Sequence, residues 1–220
     1  MKLIGMLDSP YVRRVAVSLQ LLELPFEHQS LSVFSTFDEF QKINPVVKAP
    51  SLLCDDGEVL MDSTLILDYA EALAAPRRSL MPAGLAQRQH ALRRIGLALA
   101  ACEKSVQIVY EHNLRPVEKL HQPWLSRVTG QLLAAFDALE ASLVRTPLGV
   151  SADTLGQAGV SIAVALEFTR QMLPDVLDVV RYPQLLALST AAEALPVFKA
   201  APHGSATYQS ATYRSATYRP

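Results

Sequence analysis

Leu7-Asp8-Ser9-Pro10-Tyr11-Val12-Arg13-Arg14 follows the short apolar run Leu3-Ile4-Gly5-Met6 and opens a segment in which Val12, Val15, Ala16, Leu19 and Leu22 recur at helical spacing. The spacing predicts a strand that turns directly into a helix. Pro10 has no N–H and a fixed φ suited to the first helical position, and Ser9 before it is a favoured N-cap type. Ser9 is therefore expected at a helix N-terminus, where unpaired N–H groups and the positive end of the dipole favour an anion. Two roles are open to its hydroxyl. It caps the helix, or it donates a hydrogen bond to a thiolate or carboxylate bound there.

Working outward, residues 26–31 alternate as a second strand after the helix ends near Glu23, which makes a βαβ unit with parallel neighbours. The loop over residues 32–38 carries Phe34 and Phe37, as a lid or as packing. A helical turn over residues 40–45 is closed by Asn44-Pro45, because the residue before proline is biased away from the α region. Asp55-Asp56-Gly57-Glu58 then reads as a hairpin turn between Ser51-Leu52-Leu53-Cys54 and Val59-Leu60-Met61. Asp62-Ser63-Thr64 supplies N-cap candidates for a helix with Leu65, Ile66, Tyr69, Ala70 and Leu73 on its face. The order β-α-β-α-β-β-α over residues 1–76 is that of a thioredoxin-like α/β domain.

Pro76, Arg77, Arg78, Pro82 and Gly84 form a linker dense in helix breakers. Beyond it, helical patterns run over residues 85–112, 120–143, 161–172, 175–180 and 183–194, so residues 85–202 are expected to form an all-α helical bundle domain. Residues 203–220 differ: Ser-Ala-Thr-Tyr recurs at a five-residue period that matches neither strand nor helix. That composition buries little, so the tail is expected to be disordered, and no function is attached to it.

Composition narrows the classes further. Lys and Arg number 20 against 21 Asp and Glu, a net charge of -1, so no global field recruits nucleic acid or an anionic membrane. The apolar stretches at residues 132–143 and 159–168 fall short of the roughly 20 residues a bilayer span needs. Only a few apolar residues separate Lys2 from Asp8, too few for a signal-peptide core, and a cytoplasmic location is expected. Cys54 and Cys102 lie in no metal or redox spacing and read as two buried thiols, with no disulfide and no metal site.

Together these stretches resemble the cytosolic glutathione S-transferase family, in its bacterial branch, over about residues 1–202. The resemblance rests on Ser9-Pro10-Tyr11-Val12-Arg13, Asn44-Pro45-Val46-Val47-Lys48-Ala49-Pro50 and Asp62-Ser63-Thr64-Leu65-Ile66, in that order. Arg115-Pro116, Pro123-Trp124, Ser161-Ile162-Ala163, Tyr182-Pro183 and Leu195-Pro196-Val197-Phe198-Lys199 support it downstream. The resemblance implies a homodimer that uses glutathione as co-substrate. It implies that Ser9 stabilises the glutathione thiolate and that Pro50 is a cis-proline turning the Ala49 backbone toward the cysteinyl part. It also implies that Asp62 and Ser63 take the γ-glutamyl end, with Lys48 in reach of the glycyl carboxylate. An apolar substrate pocket between the domains has Tyr11, Phe34, Tyr110 and His112 as candidates.

Three departures bear on activity. Val47 stands where the family usually has glycine, and Val164 where an aspartate usually completes a capping motif begun at Ser161, which predicts a weaker start to that helix. Ser9 stands where thiol-exchanging relatives carry cysteine, so glutaredoxin-like disulfide chemistry lacks its attacking thiolate. The expected activity is conjugation of glutathione to a small hydrophobic electrophile. The alternatives are a non-catalytic binding or scaffold protein and a glutathione-dependent isomerase or dehalogenase on the same fold.

Overall fold

The computed structural model describes residues 1–204; the repeats expected to be disordered lie outside the described residues. Strands β1 (Lys2–Ile4), β2 (Glu27–Gln29), β3 (Ser51–Leu53) and β4 (Val59–Met61) form one sheet in the order β2-β1-β3-β4. β1 and β2 are parallel, joined over one face by α1 (Pro10–Leu21), while β3 runs antiparallel to both β1 and β4. Leu3 lies opposite His28 on one side and Leu52 on the other, and Leu52 lies opposite Leu60.

Successive strand residues face opposite sides of a sheet, yet Leu3 and Ile4 are both fully buried, so both faces are covered. Leu3 joins Val12, Val15 and Leu19 of α1 and Ile66 and Ala70 of α3 (Ser63–Ala74) in the main core. Ile4 packs with Leu31 and with Phe40 of α2 (Phe37–Ile43) on the other face. α2 begins earlier than the sequence predicts, taking Phe37 and Asp38 out of the expected loop. Asp38 and Glu39 fall in its first turn, where carboxylates complement the dipole. Between β1 and α1 the chain turns at Gly5, with φ +132 and a position where a Cβ would sit 2.6 Å from Val12 Cγ2. Only glycine fits both conditions.

The rest is helical: α4 (Leu85–Leu114), α5 (Gln122–Arg145), α6 (Gln157–Met172), α7 (Pro183–Glu193) and α8 (Pro196–Lys199). α6 is buried along nearly its whole length, between α4, α7 and α1, and so fastens the helical bundle to the sheet domain. The helix expected over residues 175–180 is absent. Pro174 precedes it, and the Asp178 carboxylate accepts the Val180 N–H at 3.2 Å, which favours the short 3-10 turn Val179–Arg181.

The predicted weak start to α6 is also corrected. The helix begins one turn before Ser161, with Gly156 at its N-cap, and the Leu80 carbonyl of the linker accepts the Gln157 N–H at 2.9 Å. A Cβ on residue 156 would lie 2.8 Å from that carbonyl oxygen, so glycine permits the approach. Val164 is a core position, 1% exposed, and no cap is lost there.

Candidate functional site

Ser9 caps α1 with an extended backbone, φ -70 and ψ 124, and its hydroxyl oxygen accepts the Val12 N–H at a long 3.4 Å. α1 carries no acidic residue in its first turn, so the positive end of its dipole is uncompensated from within the helix. The hydroxyl proton remains free to donate outward. Ser9 opens onto a cavity of about 630 Å³ walled on one side by the sheet domain and on the other by α4 and α6.

The near wall is the loop into β3. Asn44 is buried and braces it: its amide nitrogen donates to Ser51 Oγ at 2.8 Å, its amide oxygen accepts the Val46 N–H at 3.0 Å, and Ser51 Oγ donates to the Lys48 carbonyl at 2.7 Å. The Ala49–Pro50 peptide bond is cis. The N–H and C=O of Ala49 make no hydrogen bond among the described residues, which leaves an unpaired backbone edge in the same cavity wall as Ser9. Val47, in the position the family gives to glycine, has φ +51, a region that β-branched residues avoid. Its side chain packs on the cluster of Ile4, Leu31 and Phe40, which holds the loop without glycine.

Pro50, Asp62 and Ser63 are not among the residues that line this cavity; Asp62 caps α3, with φ +73 and its carboxylate accepting the Thr64 N–H at 2.9 Å. Lys48 lines the cavity and places its ammonium 3.5 Å from the other Asp62 oxygen. Ser63 is buried, and its hydroxyl accepts from Arg14 Nη1 at 3.0 Å. Arg14, which the sequence did not single out, also donates to Thr64 Oγ1 at 3.3 Å and, through Nε, to Ser161 Oγ at 3.0 Å. None of these acceptors is a carboxylate. Burial pulls the guanidinium down to about 10, so it stays charged at neutral pH and projects a positive field toward Ser63. Because the Ser63 oxygen is the acceptor, its own proton remains available to a ligand.

The opposite wall is apolar: Val106, Val109 and Tyr110 of α4 and Phe168 and Met172 of α6. Phe34 crosses from the sheet domain to meet Tyr110 edge-on, ring centroids 5.6 Å apart at 73°. Tyr11, Phe34 and Tyr110 thus line the cavity with Ser9, Lys48 and Ala49; His112 is exposed and does not. Burial raises the Tyr11 and Tyr110 phenols, so both are neutral donors. Asp8 lines the cavity too, its carboxyl raised by burial against the lowering effect of the Ser9 N–H. Its place beside Ser9 was the only sequence signal for it. Among the described residues no group of three or more His, Cys, Asp or Glu is placed to hold a metal.

The chain is thus a two-domain protein, a thioredoxin-like sheet domain followed by a helical domain, with an apolar cleft between them headed by a helix-capping hydroxyl. Residues 3–78 match the family model for the glutathione S-transferase N-terminal domain. The fold superposes with TM-score 0.77 on a glutathione transferase family member from Pseudomonas fluorescens Pf-5 solved with bound glutathione, at 30% identity over 91% of this chain and 97% of that one. In sequence the chain is 27% identical to the uncharacterized GST-like protein YibF of Escherichia coli (strain K12), over 76% of this chain and 81% of that protein. It is 25% identical to probable maleylacetoacetate isomerase 1 of Drosophila melanogaster, over 85% of this chain and 75% of that protein. The chain belongs to the glutathione S-transferase family.

Proposed function

We propose that this protein is a glutathione transferase that adds the glutathione thiolate to a small apolar electrophile. The observation that carries the reading is the Ser9 hydroxyl, set at the N-terminus of α1 and opening on the apolar cleft. Beside it, the free Ala49 N–H and C=O pair with the cysteinyl backbone as an added strand. The Ser63 proton and the Arg14 charge take the α-carboxylate of the γ-glutamyl end, Asp62 its ammonium, and Lys48 the glycyl carboxylate.

A free thiol of pKa about 8.5 is only a few per cent ionised at neutral pH. Lowering it by about two units requires about 2.7 kcal/mol of preferential thiolate stabilisation. The Ser9 hydrogen bond to a charged sulfur supplies about 1.5 to 3 kcal/mol and the helix terminus about 0.3 to 1. No general base is required. The thiolate then attacks an electrophile held against Tyr110, Phe34 and Met172.

The protein acts as a homodimer in this reading. Met61, Leu65, Tyr69 and Leu73 on β4 and α3, with Leu85 and Leu92 on α4, are apolar and exposed on the single chain, and a second copy covers them. Light scattering checks the mass. Among the described residues no helix is long and apolar enough to cross a membrane.

The resemblance to the Drosophila protein favours a second reading, glutathione-dependent isomerisation, in which the thiolate adds to a double bond and later leaves. Calorimetry with glutathione, run beside turnover of a chlorodinitrobenzene-type substrate, separates the readings. Ser9→Ala should raise the pKa of the bound thiol, followed by thiolate absorbance, and lower turnover by about 100-fold or less for the roughly 1.5 to 3 kcal/mol hydrogen bond lost. Binding without turnover on any electrophile would sink catalysis, and no glutathione binding would sink both readings.

A further inference from the structure

A second cavity, of about 570 Å³, lies at the other end of α4 between α4, α5 and the start of α6. Arg93 in its wall precedes Tyr110 by a helical rise of roughly 25 Å, so it is remote from the Ser9 cleft. The wall carries His90, Arg93, Arg94 and Arg145 and no carboxylate.

Arg94 is 6% exposed; its Nε donates to Ser142 Oγ at 2.8 Å and its Nη2 to the Ser142 and Thr146 carbonyls at 3.0 and 2.6 Å. These contacts cap the last turn of α5, whose carbonyls lack partners within the helix. They leave the charge unneutralised. Arg93 and Arg145 are exposed and form no ion pair among the described residues. Burial and then the fields of Arg145 and Arg93 lower the proton affinity of Arg94, which is the mark of cations crowded without a counterion.

The first turn of α6 faces the same space. Ala158 and Gly159 line the cavity, and their N–H groups fall in the turn where no intrahelical acceptor exists. Gln157 lines it as well, its amide oxygen accepting from Ser18 Oγ of α1 at 3.1 Å. The guanidinium fork of Arg93 or Arg145 matches a tetrahedral oxyanion in two parallel hydrogen bonds.

We propose that this cavity binds a small phosphate- or sulfate-bearing anion, held by Arg93 and Arg145 against the first turn of α6. The ligand is of metabolite size, because the volume exceeds a bare ion and suits a small organic phosphate or sulfate. The site is independent of the glutathione cleft and stands whether or not the catalytic reading above does.

Calorimetric titration of the full chain with pyrophosphate at low ionic strength tests it. Saturable binding with one site per chain is expected, unchanged by saturating glutathione and weakened by inorganic sulfate in competition. Arg93→Gln/Arg145→Gln should weaken it at least tenfold. Removing the same charge elsewhere on the helical domain, with Lys119→Gln/Arg127→Gln, should change it less than twofold. Should the first double variant fail to fold, the two single variants each carry part of the loss. Absence of saturable binding at millimolar pyrophosphate, displacement by glutathione, or equal losses in the two double variants would overturn the site. Tighter binding of citrate than of pyrophosphate would overturn the ligand class.

Discussion

Arg13 and Arg14 are neighbours on α1, both buried, and they solve the problem of a buried cation in opposite ways. Arg13 grips Glu193 of α7 with two bonds of 2.6 Å, donates Nε to the Ala201 carbonyl at 2.8 Å, and lies 5.4 Å from the Phe198 ring centroid. Its charge is balanced where it sits. Arg14 points about 100° further round the helix, to Ser63, Thr64 and Ser161, and meets only hydroxyls. One side chain ties the C-terminal segment to the sheet domain. The other carries its charge to hydroxyls at the start of α3 and within α6.

The comparison breaks first on stability. Arg13→Met should lower the unfolding free energy by about 3 kcal/mol, the lower end of the range for breaking a buried pair, because Glu193 is 28% exposed and water can reach it once abandoned. Urea denaturation followed by circular dichroism reads this. A loss under about 1 kcal/mol would mean that the clasp on α7 is replaceable.

Arg14→Met should do the reverse. Removing an unpaired buried cation relieves its desolvation cost, and Ser161 keeps its bond to the Gln157 carbonyl, so stability should change by less than about 1.5 kcal/mol. Glutathione affinity should fall about tenfold, or about 1.4 kcal/mol, because Ser63 loses the charge behind it. Calorimetry on the folded variant separates the two effects. An unchanged affinity would make Arg14 a structural strut between α1, α3 and α6 and nothing more.

The contrast also explains what the chain reveals in one dimension. Strand, turn and helix around Ser9-Pro10 are local, and the hairpin at Asp56-Gly57 is local, so their residues announce them. Arg14 and Ser161 lie 147 positions apart, and nothing in either neighbourhood marks the contact. Arg13 and Arg14 read alike for the same reason. Ser161 read as the start of α6 because the true start is satisfied by a backbone carbonyl from the linker, which no side-chain pattern encodes. Val47 was legible as a departure, but the packing that keeps it at φ +51 was not. His112 stands with Tyr110 among the expected cavity residues, yet two positions along a helix turn a side chain away by about 200°.

The smallest expected effect sharpens how completely Arg13 is balanced. His203, half-buried near Phe168, has its pKa lowered from 6.5 by burial first and by the Arg13 charge second, while Glu167, Asp8 and Glu193 push it back up. Folding therefore disfavours the imidazolium, and the unfolded chain binds the extra proton. The stability this withholds is fully present above pH 6.5 and is lost as pH falls through 6.5 toward the folded value. His28 is lowered as well, by burial against its 2.7 Å bond to the Gly5 carbonyl, so His203→Ala should flatten the fall in unfolding midpoint below pH 7 only in part. An imidazole titration by NMR distinguishes burial from charge. In Arg13→Met the His203 pKa should rise, because the lowering charge is gone while the freed Glu193 carboxylate still pushes upward, but stay below 6.5 because burial, the largest cause, remains. A rise past 6.5 would show that charge, and not burial, sets the His203 pKa.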